Sequence, residues 1–402
     1  MKILVLNGGS SSFKSSLYDI ALAGANGRSS APPPLWEARV DWEHHKGVAE
    51  IQIKTPGATS QRTVPIESPF DSLAPLMDMV PNRGEIAVAG HRVVHGGRAF
   101  RQSTRITPEV RAGIARMASF APEHNRLELE AMDAMDRILG PQVAQVAVFD
   151  TAFHASLPAP AYVYPGPYEW LDQGIRRYGF HGISHQYTSR RAAGMLGGLP
   201  PRRMVTCHLG NGCSLAALRD GVSVDTTMGF TPLEGLMMGT RSGTVDPGIV
   251  IHLVRHLGYR AEELDRVLNK ESGLRGVSGS SGDMRTVLEA VARGDPRAQL
   301  AFDVYTHRLC AEIGAMIASL GGLDVLVFTA GVGENCPPLR ARVAEAFAFL
   351  GLKLDGAKNA APQTDADIAA PDSAVRVLVV KTQEEWEIAK ESHRVVNPGA
   401  EA

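Results

Sequence analysis

Four glycine-rich segments punctuate this 402-residue sequence: Asn7 to Ser12, His208 to Gly212, Gly239 to Gly243 and Gly331 to Asn335. Glycine lets backbone N–H groups approach a ligand unobstructed, and a helix start behind the turn adds partial positive charge, so such loops cradle phosphate oxygens. One alone is equally well a tight turn; four together point to a polyphosphate. No G-x-x-x-x-G-K-[ST] is present, and no G-x-G-x-x-G follows the first strand, so neither a P-loop nor a Rossmann site is supported. Two further segments hold an arginine among glycines: Arg92 within Gly90 to Gly97, and Arg241 within Met238 to Gly243. The planar guanidinium fork matches carboxylate or phosphate, so two forks from separate loops could clamp both anions of a transfer. The alternative for each is an ordinary surface ion pair.

Carboxylates able to hold Mg²⁺ belong at strand ends facing phosphates, and Asp150 directly follows the apolar run Val143 to Phe149. Glu384 and Glu385 open the last helix, where acids are equally at home as solvated caps. His124, His181 and His208 lie beside polar or glycine-rich stretches, as donors to a transferring phosphoryl group or as structural histidines.

These residues must be positioned by alternating strands and helices. Lys2 to Leu6 and Phe13 to Ile20 read as strands around a polar turn, followed by strands at 36–42 and 48–54. Apolar runs at 86–94 and 143–149 alternate with helical patterns at 108–119 and 127–139, which indicates an α/β domain. Placing Leu6–Ser10 over Cys207–Asn211 also brings Leu17–Asp19 over Leu218–Asp220, at a constant offset of 201. A repeat of half the chain length suggests duplication of a whole domain. The second half continues with helices at 247–257, 261–270, 284–293 and 297–320. A buried strand at 323–328 then feeds the Gly331 loop, with Pro337 in the first turn of a helix. A strand at 375–380 and a helix at 383–394 close the chain.

The length implies roughly two domains. The 41 basic and 43 acidic side chains nearly cancel, so no global field favours nucleic acid or an anionic membrane. Met1 to Leu6 is too short for a signal or membrane segment, and a cytoplasmic location is expected. Cys207, Cys213, Cys310 and Cys336 show neither C-x-x-C spacing nor paired histidines, and read as buried thiols.

The sequence resembles the acetate kinase family nearly end to end. The likeness rests on V-L-N-G-G-S-S-S-F-K at 5–14, H-R-V-V-H-G-G at 91–97, V-F-D-T-A-F-H at 148–154 and R-R-Y-G-F-H-G at 176–182. It continues in C-H-L-G-N-G at 207–212, D-T-T-M-G-F-T-P-L-E-G-L-M-M-G-T-R-S-G at 225–243, F-T-A-G-V-G-E-N at 328–335 and T-Q-E-E at 382–385. The resemblance implies an α/β fold of duplicated ribonuclease-H-like domains, of the actin, Hsp70 and sugar kinase superfamily, with a central cleft. The N-terminal domain would take 1–150 plus 386–402, and the nucleotide-binding domain 151–385.

It further implies a homodimer that phosphorylates a small carboxylic acid with ATP, leaving ADP, and uses Mg²⁺ or Mn²⁺. Carried over by position, Asn7 and Glu384 would organise the metal and Lys14 would approach the phosphates. His208, Leu209, Gly210, Asn211 and Gly212, with Asp283, Met284 and Arg285, and with Gly331, Val332, Gly333, Glu334 and Asn335, would surround the nucleotide. Arg92 would bind the acyl carboxylate and Asp150 would be the essential acid. His181 and Arg241 would stabilise the transition state, and Val94, Phe180 and Pro232 would line the alkyl pocket. Three departures stand out: Glu123 replaces a usual leucine, Met284 a usual phenylalanine and Thr244 a usual aspartate. The rival readings are a propionate or other short-chain acyl kinase, and a regulatory ATPase of the same superfamily.

Overall fold

The structure, a computed structural model, describes residues 1–8, 12–22, 30–42, 47–117, 122–363 and 365–399, without the side chains of 69–70 and 122–126. The tip of the first glycine-rich turn and the side chains of Glu123 and His124 therefore lie outside the described residues. The chain forms two compact units: Met1–Ala155 with Gly182–Tyr187 and Gln383–Ala402, and Ser156–His181 with Thr188–Thr382.

The first unit is built on β1 (Lys2–Gly8), β2 (Ser12–Asp19), β3 (Trp36–Asp41), β4 (Val48–Thr55), β5 (Ala58–Pro65), β6 (Ile86–Val93), β7 (Thr104–Arg105) and β8 (Ala144–Phe149). They form one sheet in the order β5-β4-β3-β2-β1-β6-β8-β7. The unbroken apolar run Ile3–Leu6 is fully buried, as suits a central strand covered on both faces. Leu4, Leu17, Trp36, Ile51, Leu76 and Met135 share its main core. On the sheet lies the helix Glu384–Val396, packed across β1, β6 and β8. Gly90 permits that approach, since a Cβ there would stand 2.3 Å from the Ser392 hydroxyl. Strand β5 was not expected, because Ala58 to Pro65 is exposed and almost wholly polar, leaving no alternation to read.

In the second unit β9 (Arg203–Leu209), β10 (Cys213–Arg219), β11 (Val222–Thr226), β12 (Val325–Thr329), β13 (Ala366–Asp367) and β14 (Arg376–Val379) pair in the order β11-β10-β9-β12-β14-β13. The segments β3-β2-β1-β6-β8 and β11-β10-β9-β12-β14 share one plan. Three antiparallel strands are followed by two running parallel to the first. The fold is thus a duplicated ribonuclease-H-like α/β fold. The constant offset of 201 does not survive the turn. Asn7 faces Lys14 while His208 faces Ser214, so the second hairpin is one residue shorter and its outgoing strand matches at an offset of 200.

Helix ends follow capping chemistry. Asp246, Asp283 and Asp295 each accept a backbone N–H at the start of the helices Pro247–Leu257, Met284–Ala292 and Pro296–Leu320. Helix Pro122–Leu139 begins five residues before the expected 127, its first turn opened by a proline.

Candidate active site

In the first unit Arg92 stands near the end of β6, and Asp150 follows β8 on the neighbouring parallel strand. The parallel register makes them meet. Arg92 donates from Nε and Nη2 to one Asp150 oxygen at 3.1 and 2.6 Å, and from Nη1 to the Gly8 carbonyl at 2.9 Å. Both side chains are largely buried. Burial opposes the Arg92 charge, but Asp150 and Glu384 outweigh it and raise its pKa. The fork is therefore held in place by protein carboxylate and carbonyl, with three of its five N–H groups accounted for.

Around it lies an acidic cluster. Asn7 donates its amide to Glu384 at 3.3 Å and to Glu385 at 3.1 Å, and Lys14 pairs with Glu385 at 3.7 Å. Burial raises the Glu384 pKa; Arg92 opposes the shift, and Glu385 and Asp150 reinforce it. Three carboxylates thus face two cations, a deficit that a divalent ion would offset. Because Asn7 spends its N–H groups on the glutamates, its carbonyl oxygen is the atom left for a hard cation. Among the described residues no three His, Cys, Asp or Glu side chains form a metal cluster. Mg²⁺ does not require one, since it binds through one or two carboxylates plus substrate phosphates. The residues fit such an ion.

The second unit gathers the glycine-rich loops. His208 is the penultimate residue of β9, and its ring stacks on His181 with centroids 4.1 Å apart. His181 adopts a left-handed backbone (φ 55°) before the helix Gly182–Met195, and its Nδ1 lies 2.9 Å from the Ser214 hydroxyl. Gly212 lies close against both: a Cβ there would stand 3.3 Å from the Arg241 guanidinium and from the His181 ring. Arg241, His181, His208 and the His208–Gly212 turn therefore converge. Arg241 also donates to the Pro232 carbonyl at 3.0 Å, so Pro232 supports the arginine through its backbone.

The remaining loops join the same region. Gly239 donates its N–H to the Asn211 carbonyl at 3.1 Å, and a Cβ on Gly239 would collide with Asn211 and with the Gly282 carbonyl. Asp283 and Arg285 form an exposed ion pair at 2.6 Å, with Asp283 capping its helix and Met284 buried behind it. Leu209 and Gly333 lie against each other, and Glu334 accepts the N–H groups of Ala330 and Thr382. Asn335 donates to the Gly331 carbonyl at 2.9 Å, while Val332 is half-buried. Phe180 is buried in this unit, whereas Val94 is buried in the first. Thr244 ties the loop to Gly235, accepting the Gly235 N–H at its hydroxyl and donating its own N–H to the Gly235 carbonyl.

Sequence reasoning missed Arg340. Its guanidinium is fully buried and donates to the carbonyls of Gly333, Glu334 and Asn359 and to the Asn359 side chain, at 2.8 to 3.0 Å. A cation thus sits directly behind the Gly331–Asn335 loop. Arg340→Met would orphan those carbonyls, at about 1 to 3 kcal/mol for each buried group left unpaired. The expected outcome is lower stability in urea unfolding.

The Acetokinase family profile matches residues 2–390. An acetate kinase of Gloeobacter violaceus is 58% identical over 400 residues, covering 97% of this chain and 98% of that protein. Among solved structures, Porphyromonas gingivalis acetate kinase superposes with a TM-score of 0.88 at 38% identity, covering 98% of this chain and 99% of that one. A propionate kinase from Francisella tularensis gives 0.89 at 36% identity, with the same coverages.

Proposed function

The chain belongs to the acetokinase family, and on that premise we propose that it transfers the γ-phosphoryl group of ATP to the carboxylate of acetate, reversibly and by direct in-line attack, giving acetyl phosphate and ADP. The observation that carries this reading is the tethered Arg92: a buried, permanently charged fork fixed by Asp150 and Gly8, able to hold an organic carboxylate. An acid of this kind is already ionised at neutral pH and needs no general base to act as nucleophile. The enzyme's work is to manage charge. Arg92 binds the acyl carboxylate and Asp150 holds Arg92 in orientation, while Val94, Phe180 and Pro232 shape the alkyl site. Arg241 and His181 stabilise charge on the equatorial oxygens of the transferring group. The loops at 208–212, 283–285 and 331–335 hold the nucleotide, and Lys14 approaches its phosphates. Asn7 and Glu384 would hold Mg²⁺ or Mn²⁺, which when bound neutralises phosphate charge.

The helix Pro247–Leu257 exposes Ile249, Ile251, Val254 and Leu257, which supports association of two copies. No helix among the described residues is long and apolar enough to cross a membrane. All four cysteines are free thiols, Cys310 only half-buried, and this favours a reducing cytoplasm.

Incubation with ATP, Mg²⁺ and each short acid, with acyl phosphate trapped as hydroxamate, tests the reading. Product with acetate is expected; no product with any acid would replace it by a regulatory ATPase. The likeness to a propionate kinase favours one second reading, a preference for the longer acid. One methylene is worth only about 1 to 3 kcal/mol in such a pocket, so relative kcat/KM for acetate, propionate and butyrate decides between them.

A further inference from the structure

Glu128 lies on the helix Pro122–Leu139 and is buried, on the same face as Met132, Met135 and Leu139. One carboxyl oxygen accepts the Val94 N–H at 2.8 Å, directly after the strand that carries Arg92. The other oxygen is buried and has no hydrogen-bond partner among the described residues. A polar atom left so is destabilising unless something absent from the free chain completes it. The charged groups acting on Glu128 are Arg92 from β6 and Asp150 beyond β8. An ionised Glu128 would add a further carboxylate around Arg92, beside Asp150 and Glu384, and would compete with any anionic ligand.

We propose that Glu128 is a further acid-binding residue: its unshared oxygen carries the proton and donates a hydrogen bond to the carboxylate held at Arg92. The inference rests on the reading of Arg92 and Val94 as acyl-binding residues. Since the first oxygen already accepts an amide N–H, the proton belongs on the second. Burial supports this by pushing the carboxyl up to about 8, against the Val94 N–H and Arg92 and together with Asp150. Acid binding is therefore pH-dependent: the donor is lost, and a repelling charge gained, as Glu128 ionises.

The test is the KM for acetate at about pH 7 and about pH 9 in wild type, Glu128→Gln and Glu128→Leu. Wild type should show a rise of roughly 10-fold between the two, as expected for one group titrating near 8. Glu128→Gln keeps a donor that does not titrate and should lose that rise, while Glu128→Leu should raise KM about 10-fold at the lower pH. An equal rise in wild type and Glu128→Gln, or wild-type KM in Glu128→Leu, overturns the proposal.

Thermal unfolding without substrates gives a second readout. The folded chain keeps the Glu128 proton up to about pH 8, whereas the unfolded chain loses it in the ordinary carboxylate range. The unfolded state thus binds fewer protons over that window, and wild type should lose Tm relative to Glu128→Gln as pH rises through it. A constant Tm difference would show Glu128 ionised and the proposal wrong. Absence of acyl hydroxamate in wild type would instead remove the underlying functional reading.

Discussion

Arg241→Ala is expected to lower turnover by about 10²-fold or more, the scale observed when a preorganised transition-state donor is removed. The structure explains why the loss should be confined to the side chain. The turn Met238–Arg241 closes on itself through the Met238 N–H and the Arg241 carbonyl. It is also stitched to the following segment: Ser272, Leu274 and Arg275 donate to the carbonyls of Thr240, Met238 and Gly239 at 2.9 to 3.0 Å. Gly273, at φ 62°, allows this closeness, because a Cβ there would lie 2.2 Å from the Met238 carbonyl. Every one of these bonds is backbone and survives truncation. Arg241→Lys keeps the charge without the planar fork and should recover only part of the rate. Near-normal turnover in Arg241→Ala, measured at saturating substrates, would contradict the assignment.

Arg92→Ala should have the largest effect on stability. It leaves the Asp150 carboxylate, 3% exposed, without its counter-charge and close enough to Glu384 for the two to repel. Removing one partner of a buried, hydrogen-bonded ion pair costs about 3 to 5 kcal/mol, chiefly because the other charge stays buried. Urea unfolding should register that loss, and the double variant Arg92→Ala/Asp150→Ala should be less destabilised than the sum of the single ones. The KM for acetate should rise in Arg92→Ala more than that for ATP. Wild-type stability in Arg92→Ala would mean that Asp150 does not depend on this arginine.

Much of this was legible in the sequence because the determinants are local. Apolar runs marked β1, β8 and β12; Pro337 marked the first turn of the helix behind the Gly331 loop; and the match of Leu6–Ser10 to Cys207–Asn211, with Leu17–Asp19 over Leu218–Asp220, suggested the duplication. What stayed hidden depends on tertiary packing. The one-residue difference between the two hairpins is set by the length of the connection between paired strands, which sequence similarity of the first strands does not report. Strand β5 has no apolar face. Asp150 was readable as an acid at a strand end, yet its role as the anchor of Arg92 required the register of β6 and β8.

Arg340 and Glu128 were missed because neither belongs to a glycine-rich loop. A cue was nonetheless present. Each is a charged residue on the apolar stripe of its helix: Arg340 with Leu339, Val343 and Ala344, and Glu128 with Met132, Met135 and Leu139. A charge in such a position is expected to be paired or functional.

The central claim is that Arg92 holds the acid while Arg241 and His181 hold the group being transferred. A crystal structure with ADP, Mg²⁺, acetate and a planar fluoride mimic of the transferring phosphoryl tests it most directly. The account predicts the Arg92 fork on the acetate carboxylate, and Arg241 and His181 nitrogens about 2.7 to 3.1 Å from the fluorides. Acetate bound away from Arg92, or fluorides with neither Arg241 nor His181 within hydrogen-bonding reach, would contradict it.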